Sequence, residues 1–161
     1  MPGYGCPRPG SWLEDQQWRA RLHTHARRQL PDLTYRHSQS RHGPLDTWRA
    51  HVEPTGYEAR LVTIEFLRRR PGSPSVFADG PTSSPHRYPT RRGTHLCLWF
   101  PHDPPQRIWT VDKGLLALFG IAAHHLFKEG WWRETGQWLG QEAPHRLDEP
   151  ADGIPPPQEA T

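Results

Sequence analysis

The pattern of apolar and polar residues divides the chain into a helical start, a β-rich middle and a helical end. Apolar side chains recur at helical spacing from Trp12 to about Leu30, and Pro31 ends the run. Ser11 precedes this run and Glu14 occupies its third position, which is a capping-box pattern. We therefore predict an N-terminal helix that begins at Trp12 and is capped by Ser11.

Alternation of apolar and polar residues predicts antiparallel strands in the middle of the chain. The clearest run is Tyr57–Leu67, in which Val62, Ile64 and Phe66 share one face. A turn over residues 54–56, with the sequence Pro-Thr-Gly, joins this run to the preceding strand as a hairpin. The other predicted elements are strands at Leu45–Val52, Ser75–Ala78 and Thr94–Phe100 and a loop at Gly80–Gly93.

A helical period returns after the two prolines at 104–105. Thr110 or Asp112 is a candidate cap for a helix over Val111–Lys128, and Gly130 is a candidate stop. The apolar face of this helix comprises Leu115, Leu118, Phe119, Ala122 and Leu126. A second helix is predicted at Trp131–Trp138, ending at Gly140, with Trp131, Trp132 and Trp138 closing the core.

Length and element order indicate one α+β domain with short flanking segments. The chain has 161 residues, of which 34% are hydrophobic and 8 are tryptophan, and such aromatic content is not typical of disorder. Strands grouped before helices predict an α+β fold with a small antiparallel sheet and C-terminal helices. We predict a flexible leader at 1–10, a domain at 11–145 and a disordered, proline-rich tail at 146–161.

Charge and targeting signals bound the class of protein. The formal net charge of +3 comes largely from arginines, which fit an acidic partner or reflect composition alone. The start of the chain has no apolar segment typical of a secretory signal, and the longest apolar run, Gly114–Phe127, is too short to cross a bilayer. We therefore predict a cytoplasmic protein with no membrane partner.

Cys97 is the residue with the clearest chemical interpretation. In an extended segment, His95, Cys97 and Trp99 share one face, and the leucines at 96 and 98 share the other with Phe100. A reactive cysteine must be accessible and reach the thiolate form, whereas buried free cysteines are commonly inert, so both interpretations stay open. The histidine and cysteine spacings do not match a structural zinc site, and we predict neither metal nor cofactor.

The segment before Cys97 resembles the active-site region of ubiquitin-conjugating enzymes. In that family an H-P-N tripeptide and a glycine precede the catalytic cysteine, which lies in an I/L-C-L context. His86 matches the histidine of the tripeptide and Gly93 matches the glycine. Arg87 and Tyr88 replace the proline and the asparagine. The role of that asparagine, which helps to stabilise the oxyanion, is therefore unassigned in this chain.

The bacterial branch of this family, encoded in anti-phage islands such as CBASS, is a closer match. Its members show a His-x-Tyr run, an L-C-L segment followed by aromatics and proline, and a tryptophan-rich end of the type W-x-x-x-G-x-W-x-G. These motifs correspond here to His86–Tyr88, Leu96–Pro101 and Trp132–Gly140. The resemblance covers about His86 to His145 and implies a ubiquitin-conjugating (UBC-like) fold.

The resemblance also implies an acyl carrier. A ThiF-like activating enzyme passes an acyl group to the Cys97 thiolate, and an amine on a target then attacks the thioester. The acyl group belongs to a ubiquitin-like modifier or to the C-terminus of a cyclic-oligonucleotide synthase. His86, His95 and His145 are the candidate catalytic histidines, although His86 is also a candidate for fixing the loop by hydrogen bonds.

Two other functions remain open at this point. The first is a non-catalytic interaction module of the same fold, which the missing asparagine favours. The second is a basic nucleic-acid-binding protein, which the arginine clusters at 68–70 and 91–92 would serve by contacting phosphates. Those clusters also suit solvated strand ends, so nucleic acid is the least favoured partner.

Overall fold

A computed structural model describes residues 12–100 and 102–140. The predicted leader, the predicted cap Ser11 and the predicted tail lie outside this range. In chain order the elements are α1 (Gln16–Arg27), β1 (Thr34–Ser40), β2 (Gly43–Val52), β3 (Arg60–Leu67), β4 (Ser75–Ala78), β5 (Arg87–Thr90), β6 (Gly93–Leu96), a 3-10 turn (Val111–Lys113) and α2 (Gly114–Thr135). The fold is therefore α+β, as predicted.

The strands of the described residues form one six-stranded antiparallel sheet in the order β1-β2-β3-β4-β6-β5. The hairpin between β2 and β3 turns at Pro54, whose carbonyl accepts the N–H of Tyr57 at 2.9 Å, and Gly56 has a φ of +81°. Gly56 adopts this left-handed conformation without a Cβ clash. The predicted hairpin is thus confirmed.

The core lies between one face of the sheet and the two helices. Val62, Ile64 and Phe66 of β3 are fully buried, which confirms the predicted alternation. The predicted apolar face of α2 is buried as well, at Leu115, Leu118, Phe119, Ala122 and Leu126. Since α2 packs against both α1 and β2, it holds the sheet and the first helix together.

The predicted start of the first helix is wrong. Helix α1 begins at Gln16, because the carboxylate of Asp15 caps it by accepting the N–H groups of Gln17 and Trp18 at 2.8 and 3.2 Å. Trp12 lies in the preceding turn and is buried against other aromatic rings, Trp48, Phe66 and Trp109. The helix ends at Arg27 rather than near Leu30. Burial of Trp12 thus takes precedence over the helical continuation that the sequence suggested.

Two strands were missed because they lie at the edges of the sheet. Strand β1 pairs only with β2, and most of its polar side chains are exposed. Strand β5 is the opposite edge and falls inside the predicted loop Gly80–Gly93, which is therefore only partly a loop. Edge strands with solvated faces lack the apolar alternation by which a sequence reveals a strand.

The predicted break of the C-terminal helix at Gly130 is also wrong. Helix α2 continues through Gly130 to Thr135 and ends at Gly136, which has a φ of +73°. The 3-10 turn leads into α2, and neither helical segment begins with a side-chain capping hydrogen bond, contrary to the predicted caps at Thr110 or Asp112. Trp131 does not close the core, because 38% of its surface is exposed.

Gly130 is instead a contact position, and this leads to a prediction. A Cβ at residue 130 would lie 2.6 Å from the ring of Tyr57. We expect Gly130→Ala to destabilise the protein by about 1–3 kcal/mol, because the ring or the helix must move. The measurement is urea unfolding followed by tryptophan fluorescence.

Gly120→Ala is the matched control for this prediction. Gly120 lies in the same helix, is exposed and has nothing within 4 Å of its Cβ position. Alanine is the better helix former, so we expect this variant to gain about 0.5–1 kcal/mol. Equal stability changes in the two variants would refute the contact with Tyr57.

Candidate functional site

Cys97 lies at the point where the sheet ends. Strand β6 stops at Leu96, and the N–H of Cys97 donates to the carbonyl of His86 at 2.9 Å. This bond extends the β5–β6 ladder, in which Arg87 is paired with Leu96, by one further pair. The two segments that carry the sequence motifs are therefore held side by side, with His86 opposite Cys97.

The predicted alternation does not continue beyond Leu96. Leu96 is buried as expected, but Leu98 and Trp99 both pack against the core, although they were predicted on opposite faces. Phe100 was predicted to anchor the segment and is instead 36% exposed. The cause is that the strand ends at Leu96, so the two-residue period no longer applies.

Two cavities meet at Cys97, which is itself half-buried. The first has a volume of about 120 Å³ and its wall includes His124 and Lys128 of α2. The second, of about 440 Å³, lies on the other side and its wall includes Tyr88 and His95. Cys97 therefore borders open space on two sides, as a cysteine must if a partner is to reach it.

The thiol of Cys97 is in an unusual electrostatic environment. Burial raises its pKa, a hydrogen bond with the Tyr88 hydroxyl lowers it, and the negative charge of Asp103 raises it further. The net effect is a raised pKa, so most of the thiol is protonated near neutral pH. Burial, together with Cys97, likewise raises the pKa of Tyr88, which keeps its hydroxyl protonated.

His86 is buried at the base of the site. Only 3% of its surface is exposed, and its ring lies 4.0 Å, between centroids, from the ring of Trp138. Trp138 also contacts His125 of α2, at 5.5 Å between ring centroids. The backbone carbonyl of His86 orients Cys97. The side chain of His86, which lies directly before β5, packs against Trp138, which follows α2.

Of the other two candidate histidines, His95 lies within the described residues. His95 is half-buried, lies edge-on to the ring of Phe77 at 5.6 Å between centroids, and borders the second cavity. Burial lowers its pKa, which favours a neutral imidazole. His145 lies outside the described residues, so its predicted role stays a prediction. The catalytic roles of His86 and His95 also remain predictions.

A buried ion pair between strand and helix supports the site. The guanidinium of Arg87 donates through Nε to both carboxylate oxygens of Glu129, at 3.0 and 2.9 Å, and both side chains are fully buried. Its Nη1 also donates to the carbonyls of Ala78 and Asp79. Arg87 lies between His86 and Tyr88 in the chain. The Arg87–Glu129 ion pair therefore holds both of these residues in place beside the Cys97 segment.

The carboxylate of Glu129 is held ionised. Burial alone would raise its pKa, but hydrogen bonds from His125 and Arg87 outweigh burial and lower the pKa to about 2. Arg133 adds a further contact at 3.1 Å. The residues 125, 129 and 133 are four apart, so they share one face of α2. That spacing is the signal for this network in the sequence, and it does not indicate the pairing with Arg87.

Comparison with known proteins identifies the family. The family model described as Type II CBASS E2 protein matches residues 23–146, which is more than half of the chain. The chain belongs to this family. The predicted resemblance to bacterial ubiquitin-conjugating-type proteins of anti-phage systems is thus confirmed, and the protein has an E2-like role in CBASS defence. No curated protein matches the sequence.

Membership in the Type II CBASS E2 family implies that the protein works with other components of a conjugation system. Across the described residues, no group of three or more histidine, cysteine, aspartate or glutamate side chains is placed to hold a metal ion. Of the helices described here, none is long and apolar enough to cross a membrane. The matched range includes Cys97 and the whole wall of both cavities that surround it.

Tyr88 and Lys128 are the site residues that the sequence analysis did not assign. Tyr88 was noted as a departure from the H-P-N tripeptide and as part of the His-x-Tyr run, but not as a residue whose hydroxyl interacts with Cys97. Lys128 was treated only as the end of a helix, yet it borders the same cavity as Cys97. Neither contact could be derived from local spacing, because each joins separate elements of the fold.

Proposed function

We propose that this protein is an acyl carrier of the ubiquitin-conjugating type, with Cys97 as its nucleophile. The observation that carries the proposal is the placement of Cys97: half-buried, immediately after β6 and between two cavities. A carrier cysteine needs that combination, because its sulfur must be reached first by a donor and then by an acceptor. Family membership supports the same chemistry.

The proposed reaction has two steps. The Cys97 thiolate attacks the activated carbonyl that a ThiF-like activating enzyme presents. The bond between that carbonyl carbon and its leaving group breaks, the leaving group keeps the electron pair and stays with the activating enzyme, and the acyl group forms a thioester on Cys97. An amine on the target then attacks the thioester carbonyl. The carbon–sulfur bond breaks, its electron pair returns to the sulfur of Cys97, and the nitrogen loses a proton as the amide forms.

The donor is an activated C-terminus in both candidate pathways. In one pathway the C-terminus belongs to a ubiquitin-like modifier, and in the other pathway it belongs to a cyclic-oligonucleotide synthase. We also propose a UBC-like arrangement, since the chain has an N-terminal helix, an antiparallel sheet, a cysteine after the last strand and a long C-terminal helix. The histidines at 86, 95 and 145 remain the proposed proton-transfer residues, with His86 also orienting the Cys97 backbone.

A non-catalytic interaction module is the second candidate. The observation that favours it is the raised pKa of Cys97, which lowers the fraction of reactive thiolate at neutral pH. Family membership points away from the third candidate, a nucleic-acid-binding protein, because it assigns the chain to conjugation.

Phage challenge of cells that carry the complete defence operon separates the first two candidates. We expect Cys97→Ala to abolish protection, because alanine cannot carry an acyl group. Cys6→Ala is the matched control, since it removes the other cysteine of the sequence, and it should protect like the wild type. Protection that survives Cys97→Ala, with the variant expressed at the wild-type level, would establish the interaction module instead.

A further inference from the structure

We infer that Tyr88 is a catalytic residue, which donates a hydrogen bond to the sulfur of Cys97 and stabilises its thiolate whenever that sulfur attacks or leaves. The inference rests on the proposed carrier function, because it assigns a role within that reaction. Tyr88 occupies the position at which the H-P-N tripeptide has its asparagine. The proposed hydrogen bond from Tyr88 stabilises the sulfur of Cys97, whereas the asparagine of the tripeptide stabilises the oxyanion.

The strand geometry directs Tyr88 toward Cys97. Tyr88 pairs with His95 in the β5–β6 ladder, two register positions from the contact between His86 and Cys97, so Tyr88 and Cys97 lie on the same face. Neighbouring residues of a strand point to opposite faces, so Tyr88 points away from the buried side on which Arg87 meets Glu129. On that opposite side lies the cavity of about 440 Å³, whose wall contains both Tyr88 and Cys97.

The hydroxyl of Tyr88 is placed to act as a donor rather than as a base. It borders the same cavity as the Cys97 thiol, its hydrogen bond lowers the pKa of that thiol, and its own pKa is raised, so it stays protonated across the neutral range. A hydrogen bond from a neutral O–H strengthens when its acceptor becomes an anion. The bond therefore stabilises the thiolate more than the thiol, and it stabilises sulfur as a leaving group in the same way.

Other titratable groups surround Cys97, and among the described residues none besides Tyr88 acts on the thiol in favour of its thiolate. The groups that border the two cavities are His86 and Tyr88 around β5, His95 on β6, Asp103 after β6, and His124, His125 and Lys128 on α2. Of the groups that act on the thiol, Asp103 opposes the thiolate, whereas Tyr88 favours it. Removing one hydroxyl should therefore produce a measurable change.

The inferred step is balanced without any co-reactant. During transfer the acceptor nitrogen bonds to the thioester carbon, and the carbon–sulfur bond breaks with its electron pair going to sulfur. Tyr88 keeps its proton throughout and shares it with the developing thiolate. The proton lost by the nitrogen passes to solvent or to a neighbouring histidine.

The test is the pH dependence of Cys97 alkylation by iodoacetamide in the folded, full-length protein, with Cys6→Ala as background. We expect Tyr88→Phe to raise the apparent pKa of Cys97 by about one unit and to slow alkylation at pH 7 by about tenfold. Tyr57→Phe is the matched control, because its hydroxyl contacts Glu134 instead, and it should leave the profile unchanged. Tyr88 is 46% exposed on an edge strand, so phenylalanine should preserve the fold.

The outcome distinguishes this inference from the proposed function. An unchanged profile in folded Tyr88→Phe overturns the inference, whether or not Cys97 carries a thioester. A shifted profile supports the contact, and slower release of a preformed thioester to an added amine would establish the catalytic role. A wild-type release rate in Tyr88→Phe would overturn that role and leave the carrier function intact.

Discussion

The Cys97→Ser variant should accumulate an adduct that resists thiol reagents, in contrast to the thiol-sensitive adduct of the wild type. A serine at this position has the same two cavities around it, so an activated acyl group can still reach its oxygen. The product is an oxygen ester, which amines and thiols attack far more slowly than a thioester because alkoxide is the poorer leaving group. The measurement is a gel run with and without reductant, followed by treatment with hydroxide, which cleaves the ester.

Two further variants make this expectation specific. Cys97→Ala should form no adduct, and Cys6→Ala should behave like the wild type, because residue 6 lies in the predicted leader. An adduct that persists in Cys97→Ala would contradict the account. The side chain to examine in that case is Lys128, because its amine borders the same cavity.

Arg87→Met should be among the most destabilising substitutions in the described structure, with a loss of about 3–5 kcal/mol in the free energy of unfolding. The change leaves the fully buried carboxylate of Glu129 without its bidentate partner. Removing one member of a buried pair costs more than the pair itself contributes, because the Glu129 carboxylate then stays in the core with only His125 and Arg133 beside it. Urea unfolding measured by tryptophan fluorescence reports the loss.

Arg92→Met is the matched control for this prediction. Arg92 also pairs with a strand carboxylate, that of Glu65, but its own side chain is half exposed. Pairs that reach solvent contribute about 0–1 kcal/mol, so this variant should lose much less. Equal losses in the two variants would show that the Arg87–Glu129 pair does not hold β5 on α2.

The same pair predicts a dependence of stability on acid. The pKa of Glu129 falls from 4.5 to about 2 on folding, so its stabilising contribution is complete above about pH 4.5 and is lost as the pH falls through 2. Glu129→Gln should flatten the stability profile between those values, at the cost of lower stability at neutral pH. Thermal unfolding at pH 7, 4.5 and 3 tests this, and parallel profiles for the variant and the wild type would argue against an ionised Glu129.

The parts of the fold that the sequence predicted are those in which burial leaves a periodic trace. Val62, Ile64 and Phe66 alternate because one face of β3 is core, and the apolar face of α2 has helical spacing for the same reason. Strands β1 and β5 leave no such trace because solvent covers them. Gly130 was wrongly predicted to end a helix. A glycine that leaves room for the ring of Tyr57 cannot be distinguished, from sequence alone, from a glycine that ends a helix.

The candidate site, like the fold, could be predicted from the sequence only in part. Cys97 and His86 were identified from a motif, and the fold places them opposite each other. Arg87 and Glu129 are 42 residues apart, and no local pattern indicates that they pair. Tyr88 was noted in the sequence as a replacement for the asparagine and as part of the His-x-Tyr run, but not as a partner of Cys97, because that contact exists only once β5 and β6 are paired. The sequence therefore predicts the proposed nucleophile, whereas the contacts that surround Cys97 are visible only in the structure.

Intact mass spectrometry is the most direct test of the thioester carrier. The wild-type protein is incubated with ATP, the activating enzyme and the acyl donor encoded beside it, and the reaction is quenched in acid without reductant. We predict an adduct equal to the mass of the donor less one water, removed by thiol and mapped to Cys97. The contradicting result is an unmodified Cys97 that iodoacetamide reaches only after denaturation, which would make it a structural cysteine.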